Sequence, residues 1–231
     1  MKAMVLKAAN TAFVLDTVPD PVPGAGEAVA RVLACGSGLT IQHVKAGRVP
    51  ARFPRIIGHE ITGEIVEVGP GVTSLAVGVP VTAYYYLNCG HCRWCLSGLE
   101  PLCEASEGNV GKDCDGGYAE YIKLPSSNFI SLPEGLDYKA YPAEIGVITD
   151  ALATPLKVLK RGRVKAGETI AVFGAGGGLG IHMLMIAHWA HARVIAVDVA
   201  ASKLDACREA GADEIVDATA GNVTDALLEL T

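Results

Sequence analysis

Thr169-Ile-Ala-Val-Phe173 runs without a break into Gly174-Ala-Gly-Gly-Gly-Leu-Gly180, and the residues that follow, as far as Ala190, are mostly apolar. A β-branched and aromatic run, a glycine cluster and an apolar stretch of helical length are strand, tight turn and helix N-terminus, in the order a dinucleotide site requires. Glycines let backbone N–H groups approach a pyrophosphate, and the helix dipole favours its negative charge. Outward from this stretch the pattern repeats. A second strand is expected over Arg193–Val197, a helix over Ser202–Ala210, a third strand over Glu214–Val216 and a helix start near Val223, while Thr149–Lys160 has helical length upstream. Strand and helix alternate with short loops, so this half is expected to be a parallel sheet of right-handed βαβ units. The second strand ends in Ala196-Val197-Asp198, placing a carboxylate close to the roughly 20 residues downstream where it accepts hydrogen bonds from ribose hydroxyls. Such a carboxylate repels a 2′-phosphate, which favours NAD over NADP. The candidate cofactor-binding set is Gly174, Gly176, Gly177, Gly178, Leu179, Gly180, Asp198 and Lys203. The glycine span is one residue longer than the usual fingerprint, which leaves open which glycine plays which part.

The first 150 residues have another texture, with Pro and Gly at short intervals between brief runs such as Ala28–Leu33, Ile61–Val68 and Val77–Ala83. This is expected of an irregular β-rich domain ending near residue 150. Within it, Cys89-x-x-Cys92-x-x-Cys95-x7-Cys103 brings four thiolates within reach of one ion, with Gly90 and Gly98 supplying turns. Two-residue spacers let the chain knuckle around a tetrahedral zinc, and four thiolates close the site, so it is structural and performs no chemistry. Seven cysteines, an odd number, with four so close together point to metal ligation in a reducing compartment rather than disulfides. Cys207 reads as helix packing. Half of the 231 residues are hydrophobic and 19% charged, which excludes disorder and collagen, and the length suits one large domain or two small ones. A net charge of −6 without a Lys/Arg cluster argues against nucleic-acid and membrane partners. Lys2 and Lys7 interrupt any signal-peptide core, and the expected location is the cytoplasm.

Gly58-His59-Glu60-x-x-Gly63-x5-Gly69-x-x-Val72, the four-cysteine lobe (about residues 85–110), Asp115-Gly-Gly-Tyr-Ala-Glu-Tyr121 and the glycine turn occur together in one order. That set resembles the zinc-containing medium-chain alcohol dehydrogenases over the whole chain. The resemblance implies a GroES-like domain over residues 1–150 followed by a Rossmann dinucleotide-binding domain from 151. It also implies a second, catalytic zinc that holds an alcohol or carbonyl substrate while hydride passes to or from nicotinamide. In that family this zinc is held by a Cys in a CGxCxTDxH segment, by the His of GHE, and by a Cys or an acid near the domain junction. Ala34-Cys-Gly-Ser-Gly-Leu-Thr-Ile-Gln-His43, laid on that segment, puts Gly38 at the ligand Cys. Thr40 and His43 fall on the proton-relay positions, and Ile41 replaces an Asp that orients the site. Cys35 is an odd number of positions away and is expected to fill the core. His59 and Glu60 match the family, Asp150 falls on the third ligand position, and Tyr85 on an aromatic wall of the substrate pocket. The catalytic candidates are therefore Thr40, His43 and Glu60, and the metal candidates Cys89, Cys92, Cys95, Cys103, His59, Glu60 and Asp150.

A Rossmann domain has six strands in the order 3-2-1-4-5-6, and residues 151–231 hold three, which leaves the first strand of the sheet with an unpaired edge. The chain is expected to carry the GroES-like domain and a partial Rossmann sheet, either as a fragment of a longer chain or with a partner completing that sheet; a homo-oligomer is the other expected assembly. The leading functional reading is a zinc-dependent, NAD-linked oxidoreductase that interconverts an alcohol and a carbonyl compound. Two alternatives stand beside it: a non-redox zinc hydrolase or hydratase using His59, Glu60 and Asp150, and a catalytically inactive zinc-binding module.

Overall fold

In the computed structural model, which describes residues 1–231, the run Ala28-Val-Ala-Arg-Val-Leu33 lies inside a five-stranded antiparallel sheet, because both of its edges find long partners. The chain forms two compact units, Met1–Thr149 and Asp150–Thr231. The first contains β1 (Lys2–Leu6), β2 (Phe13–Thr17), β3 (Glu27–Cys35), α1 (Leu39–Lys45), β4 (Arg55–Ile56), β5 (Ile61–Val68), β6 (Pro80–Ala83), β7 (Tyr86–Leu87), α2 (Arg93–Leu96), β8 (Gly108–Asn109), β9 (Tyr121–Pro125), β10 (Phe129–Ser131) and α3 (Pro142–Gly146). The main sheet has the order β10-β6-β5-β3-β9, with β2-β1-β4 and the ribbon β7-β8 beside it. Its core is Ala28, Ala30, Ile61, Ile65, Val81, Ile122, Leu124 and Phe129, with Leu87 and Val110 extending it to the base of the cysteine lobe. Register shifts in β3 between Val29 and Ala30 and between Val32 and Ala34 bend the strand and aim its end at the Gly58-His59-Glu60 loop. The third run is shorter than expected: Gly78 has a φ of +87°, and the strand begins at Pro80.

The second unit contains α4 (Ala153–Gly162), β11 (Thr169–Phe173), α5 (Gly178–Trp189), β12 (Arg193–Asp198), α6 (Leu204–Glu209), β13 (Glu214–Asp217) and α7 (Val223–Leu230). Its sheet is parallel, in the order β11-β12-β13, the first half of a Rossmann sheet. Leu184 and Ala187 of α5, Leu159 of α4 and Cys207 of α6 pack on one face around Val172, Val194 and Ala196. On the other face α7 covers Ile195, Val197 and Val216. Because α7 lies over β12 and β13, the outer face of β11 is left open: Ala171 is exposed and Phe173 is 66% exposed. No strand pairs with the far edge of β11.

The helix expected over Thr149–Lys160 is a correction. A 3-10 turn occupies Val147–Thr149 and the α-helix starts at Ala153. Pro155 explains it, since proline is accepted in a first turn but clashes with the carbonyl four residues back in a longer helix. No helix is long and apolar enough to cross a membrane.

Candidate functional site

The glycine turn is built from backbone bonds. Gly174 follows β11 with a φ of +67°, which reverses the chain and lets Ala175 donate its N–H to Val197 O across the sheet at 3.2 Å. Gly177 caps α5, and a Cβ at Gly180 would sit 2.2 Å from Gly174 O and 2.7 Å from Ala175 O. Only a glycine at 180 lets α5 start this close to the turn. At Gly176 a Cβ would meet the Lys203 side chain at 2.6 Å, whereas one at Gly178 would meet nothing within 4 Å. Gly174 therefore makes the turn, Gly176 the close approach and Gly180 the helix contact. Gly178 is the additional residue that lengthens the fingerprint. The first-turn amides of α5 lack intrahelical partners, as at any helix N-terminus.

Asp198 ends β12, buried. Its Oδ1 accepts the Ala200 N–H at 2.9 Å and its Oδ2 the Gly176 N–H at 2.8 Å. These two bonds, the one from Ala200 foremost, hold its carboxyl below the usual carboxylate range. A carboxylate oxygen can accept two hydrogen bonds. A carboxyl depressed in the folded chain stabilises it above its unfolded pKa of about 3.9, and that contribution is lost as pH falls through the folded value. Asp198→Asn is expected to turn a donor of its amide toward one of the two backbone N–H groups. The urea midpoint should then drop at pH 7 and differ less from the parent at pH 3; equal midpoints at pH 7 would overturn this.

In the cysteine lobe the Sγ atoms of Cys89, Cys92, Cys95 and Cys103 all lie within 4.8 Å of one another. Cys92 and Cys95 are 3.5 Å apart, Cys89 and Cys95 3.9 Å, and Cys92 and Cys103 4.0 Å. A tetrahedron with Zn–S bonds of about 2.3 Å has edges of about 3.8 Å, so the four sulfurs fit one zinc. Gly90 and Gly98 turn the chain at φ of +72° and +70°. Cys92 is lowered to about 6, first by the Cys95 N–H, and Cys89 is lowered first by the His91 N–H. Burial and the neighbouring sulfurs push Cys95 up to about 12, and that crowding of negative charge is what a divalent ion relieves.

The Gly58-His59-Glu60 loop joins β4 to β5, with both side chains buried. Gly58 has a φ of +99°, and a Cβ there would stand 2.6 Å from Cys35 Sγ and from Tyr118 Cδ1. Cys35 Sγ is also 3.0 Å from where a Cβ at Gly117 would be. Its sulfur is thus packed in a slot made by two glycines, and burial pushes it up to about 12. Gly36, which sequence reasoning passed over, donates its N–H to Glu60 O at 2.8 Å and ties the end of β3 to the loop. Its sequence signal was its place on the glycine of the CGxCxTDxH segment. The His59 ring lies 4.4 Å from the Tyr85 ring, tilted by 48°. Glu60 Oε2 lies 2.5 Å from a Cβ built on Gly36 and 3.4 Å from one built on Gly38.

Thr40 and His43 sit on α1 rather than on a loop, three residues apart and so on one face. His43 Nδ1 is enclosed and has no hydrogen-bond partner. Asp150 begins the second unit, where its Oδ1 accepts from Thr154 Oγ1 at 3.0 Å. Position 38 caps α1 and, as glycine, offers no side-chain donor. The thiolate-containing set that the resemblance assigns to a second zinc is therefore not present, while the four-cysteine set is.

Residues 24–134 match the family pattern of the alcohol dehydrogenase GroES-like domain, and residues 178–231 that of the zinc-binding dehydrogenases. An alcohol dehydrogenase of Geobacillus stearothermophilus is 39% identical over 220 residues, covering 94% of this chain and 64% of the relative. An acryloyl-coenzyme A reductase of Metallosphaera sedula is 31% identical over 206 residues, covering 88% of this chain and 60% of the relative. A crystal structure of an NAD-dependent alcohol dehydrogenase superposes with a TM-score of 0.90 at 30% identity, over 100% of this chain and 67% of that one. The chain thus spans less than two thirds of the length of these two relatives.

Proposed function

Since the chain belongs to the zinc-containing medium-chain alcohol dehydrogenase family, we propose that it serves hydride transfer between a nicotinamide dinucleotide, NAD in preference to NADP, and a small alcohol or carbonyl compound. The observation that carries this reading is the bond from Gly176 N–H to Asp198 Oδ2 at 2.8 Å. It fixes the phosphate-binding turn against the carboxylate that selects a ribose bearing free hydroxyls. Lys203, whose side chain covers Gly176, closes the same corner. The three strands supply the adenosine half of a dinucleotide site, and the nicotinamide half belongs to strands beyond them in such a sheet. The unpaired edge of β11 and the open face at Phe173 are where those strands, from the same polypeptide or a partner, would pair.

In this reading the four cysteines hold a structural zinc that pins residues 89–103. Thr40 and His43, three residues apart on α1, would carry the substrate proton, the Nδ1 of His43 lacking a partner within the chain. His59 and Glu60 form the polar wall of the substrate side, with Tyr85 against the imidazole. A second reading is favoured by Gly38: reduction of a carbon–carbon double bond conjugated to a thioester carbonyl, as the name of the Metallosphaera sedula relative suggests. Hydride then adds to carbon and the charge spreads onto an enolate, which calls for a proton donor more than for a Lewis acid.

Titration of the 231-residue chain with AMP, NADH and NADPH, followed by tryptophan quenching, tests the first reading. AMP and NADH are expected to bind within about threefold of each other, and NADPH at least about tenfold more weakly, the loss of a charge-assisted hydrogen bond. Equal affinity for NADPH would overturn the choice of NAD. Zinc-dependent hydrolysis that needs no nicotinamide would overturn hydride transfer itself.

A further inference from the structure

We infer that the centre around His59 and Glu60 is not built to hold zinc, and that the chain carries one zinc, in the four-cysteine lobe. Gly38 has removed the thiolate, and the Glu60 carboxylate stands beside the position it leaves, with Oε2 3.4 Å from the site of the missing Cβ. Cys35, the thiol nearest in sequence, is held in another place. Cys35 is the last residue of β3, and its Sγ is fixed in the slot between Gly58 and Gly117, where added Cβ atoms would approach it to 2.6 and 3.0 Å. The backbone between them is tied down as well. Gly36 N–H is bonded to Glu60 O at 2.8 Å, and Gly38 O accepts the Ile41 N–H at 3.1 Å at the start of α1. Segment 35–38 thus cannot swing its one thiol toward His59 without breaking the bond that positions Glu60.

The donors that remain are imidazole nitrogen and carboxylate oxygen. Loss of a soft thiolate from a zinc site weakens binding and broadens the choice of metal. The cysteine lobe presents the opposite case, with four sulfurs spaced at close to tetrahedral edges. The two regions of one chain should therefore differ sharply in their hold on zinc. This inference is independent of hydride transfer, because a metal count needs no turnover.

The test is metal content by mass spectrometry, on the 231-residue chain and on Gly38→Cys and Gly38→Ala, each loaded anaerobically with excess zinc and then desalted. The parent and Gly38→Ala are expected to retain one zinc per chain and Gly38→Cys two. Loaded with cobalt(II) instead, Gly38→Cys should show a second binding step with additional thiolate-to-cobalt charge transfer, absent from the other two. A Cβ at position 38 makes only ordinary van der Waals contact at 3.4 Å, so the alanine variant should fold. Two zinc ions per parent chain, two in Gly38→Ala, or one in a folded Gly38→Cys would each overturn the proposal. If Gly38→Cys fails to fold, the counts for the parent and Gly38→Ala still decide it.

Discussion

Replacing Cys103 by serine, or stripping the metal with a strong chelator, is expected to unfold residues 88–107 while leaving the main sheet in place. Within this segment ordered structure is scarce: α2 is four residues long, a 3-10 turn covers Glu100–Leu102, and no residue of either is buried. Nothing apolar replaces the metal as a core. Structural zinc contributes roughly 10–16 kcal/mol in zinc-finger peptides, so a lobe this poor in packing should lose its fold outright. The main sheet keeps its own core of Ile61, Ile65, Val81 and Leu124. Limited proteolysis should cut between Cys89 and Cys103 in the variant or the chelated chain and spare that segment in the parent. Uniform digestion of the whole first unit would show instead that the lobe and the sheet unfold together. The loss should also deepen as pH falls, because the ligands must be thiolates and protons compete with the metal.

Gly180→Ala is the second large expected effect. The added Cβ would lie 2.2 Å from Gly174 O and 2.8 Å from Ala175 C, and both are backbone atoms that no rotamer change can move. Overpacking typically costs about 1–3 kcal/mol, and a clash of backbone with backbone belongs at the upper end. For a unit of this size about 3 kcal/mol corresponds to a fall in Tm of more than about 10 °C. Hydrogen exchange at Val172, Ala175 and Ile181 should accelerate, and binding of AMP should weaken by at least about tenfold as the turn opens. Gly178→Ala, where a Cβ meets nothing within 4 Å, is the matched control and should leave both measurements near the parent values. Equal effects of the two substitutions would sink the assignment of roles within the glycine cluster.

The second unit was far more legible in the sequence than the first. A strand covered on both faces is one continuous apolar run, which is why Arg193–Val197 can be read almost to the residue; Thr169–Phe173 carries the same apolar signal although one of its faces is open. In the first unit β3 pairs with β9, whose residues lie some ninety positions later, and the short strands exist only because of their partners, β4 through β1 some fifty positions before it and β7 and β8 through each other across some twenty. No local pattern announces them. Helix α1 was hidden for another reason: Leu39-Thr-Ile-Gln-His-Val-Lys45 is rich in β-branched residues and is capped by a glycine that makes no side-chain bond. The cysteine spacing and the glycine turn were legible because each is a local motif whose chemistry dictates its spacing. What the sequence could not display is the Cys35 slot, since Gly58 and Gly117 come together only in space.

The pairing of β3 with β5 on one side and β9 on the other also sets an order of events during synthesis. Strands β3 and β5 can pair early, but β3 keeps an open edge until residues 121–125 have left the ribosome. The whole cysteine segment is made during that interval. Pairings so far apart in sequence are slow to form, so the lobe can capture its ion before the sheet around its base is complete. In cells short of zinc, an open β3 edge and an unfolded lobe would then coexist on the nascent chain, which is where chaperone dependence and aggregation should first appear.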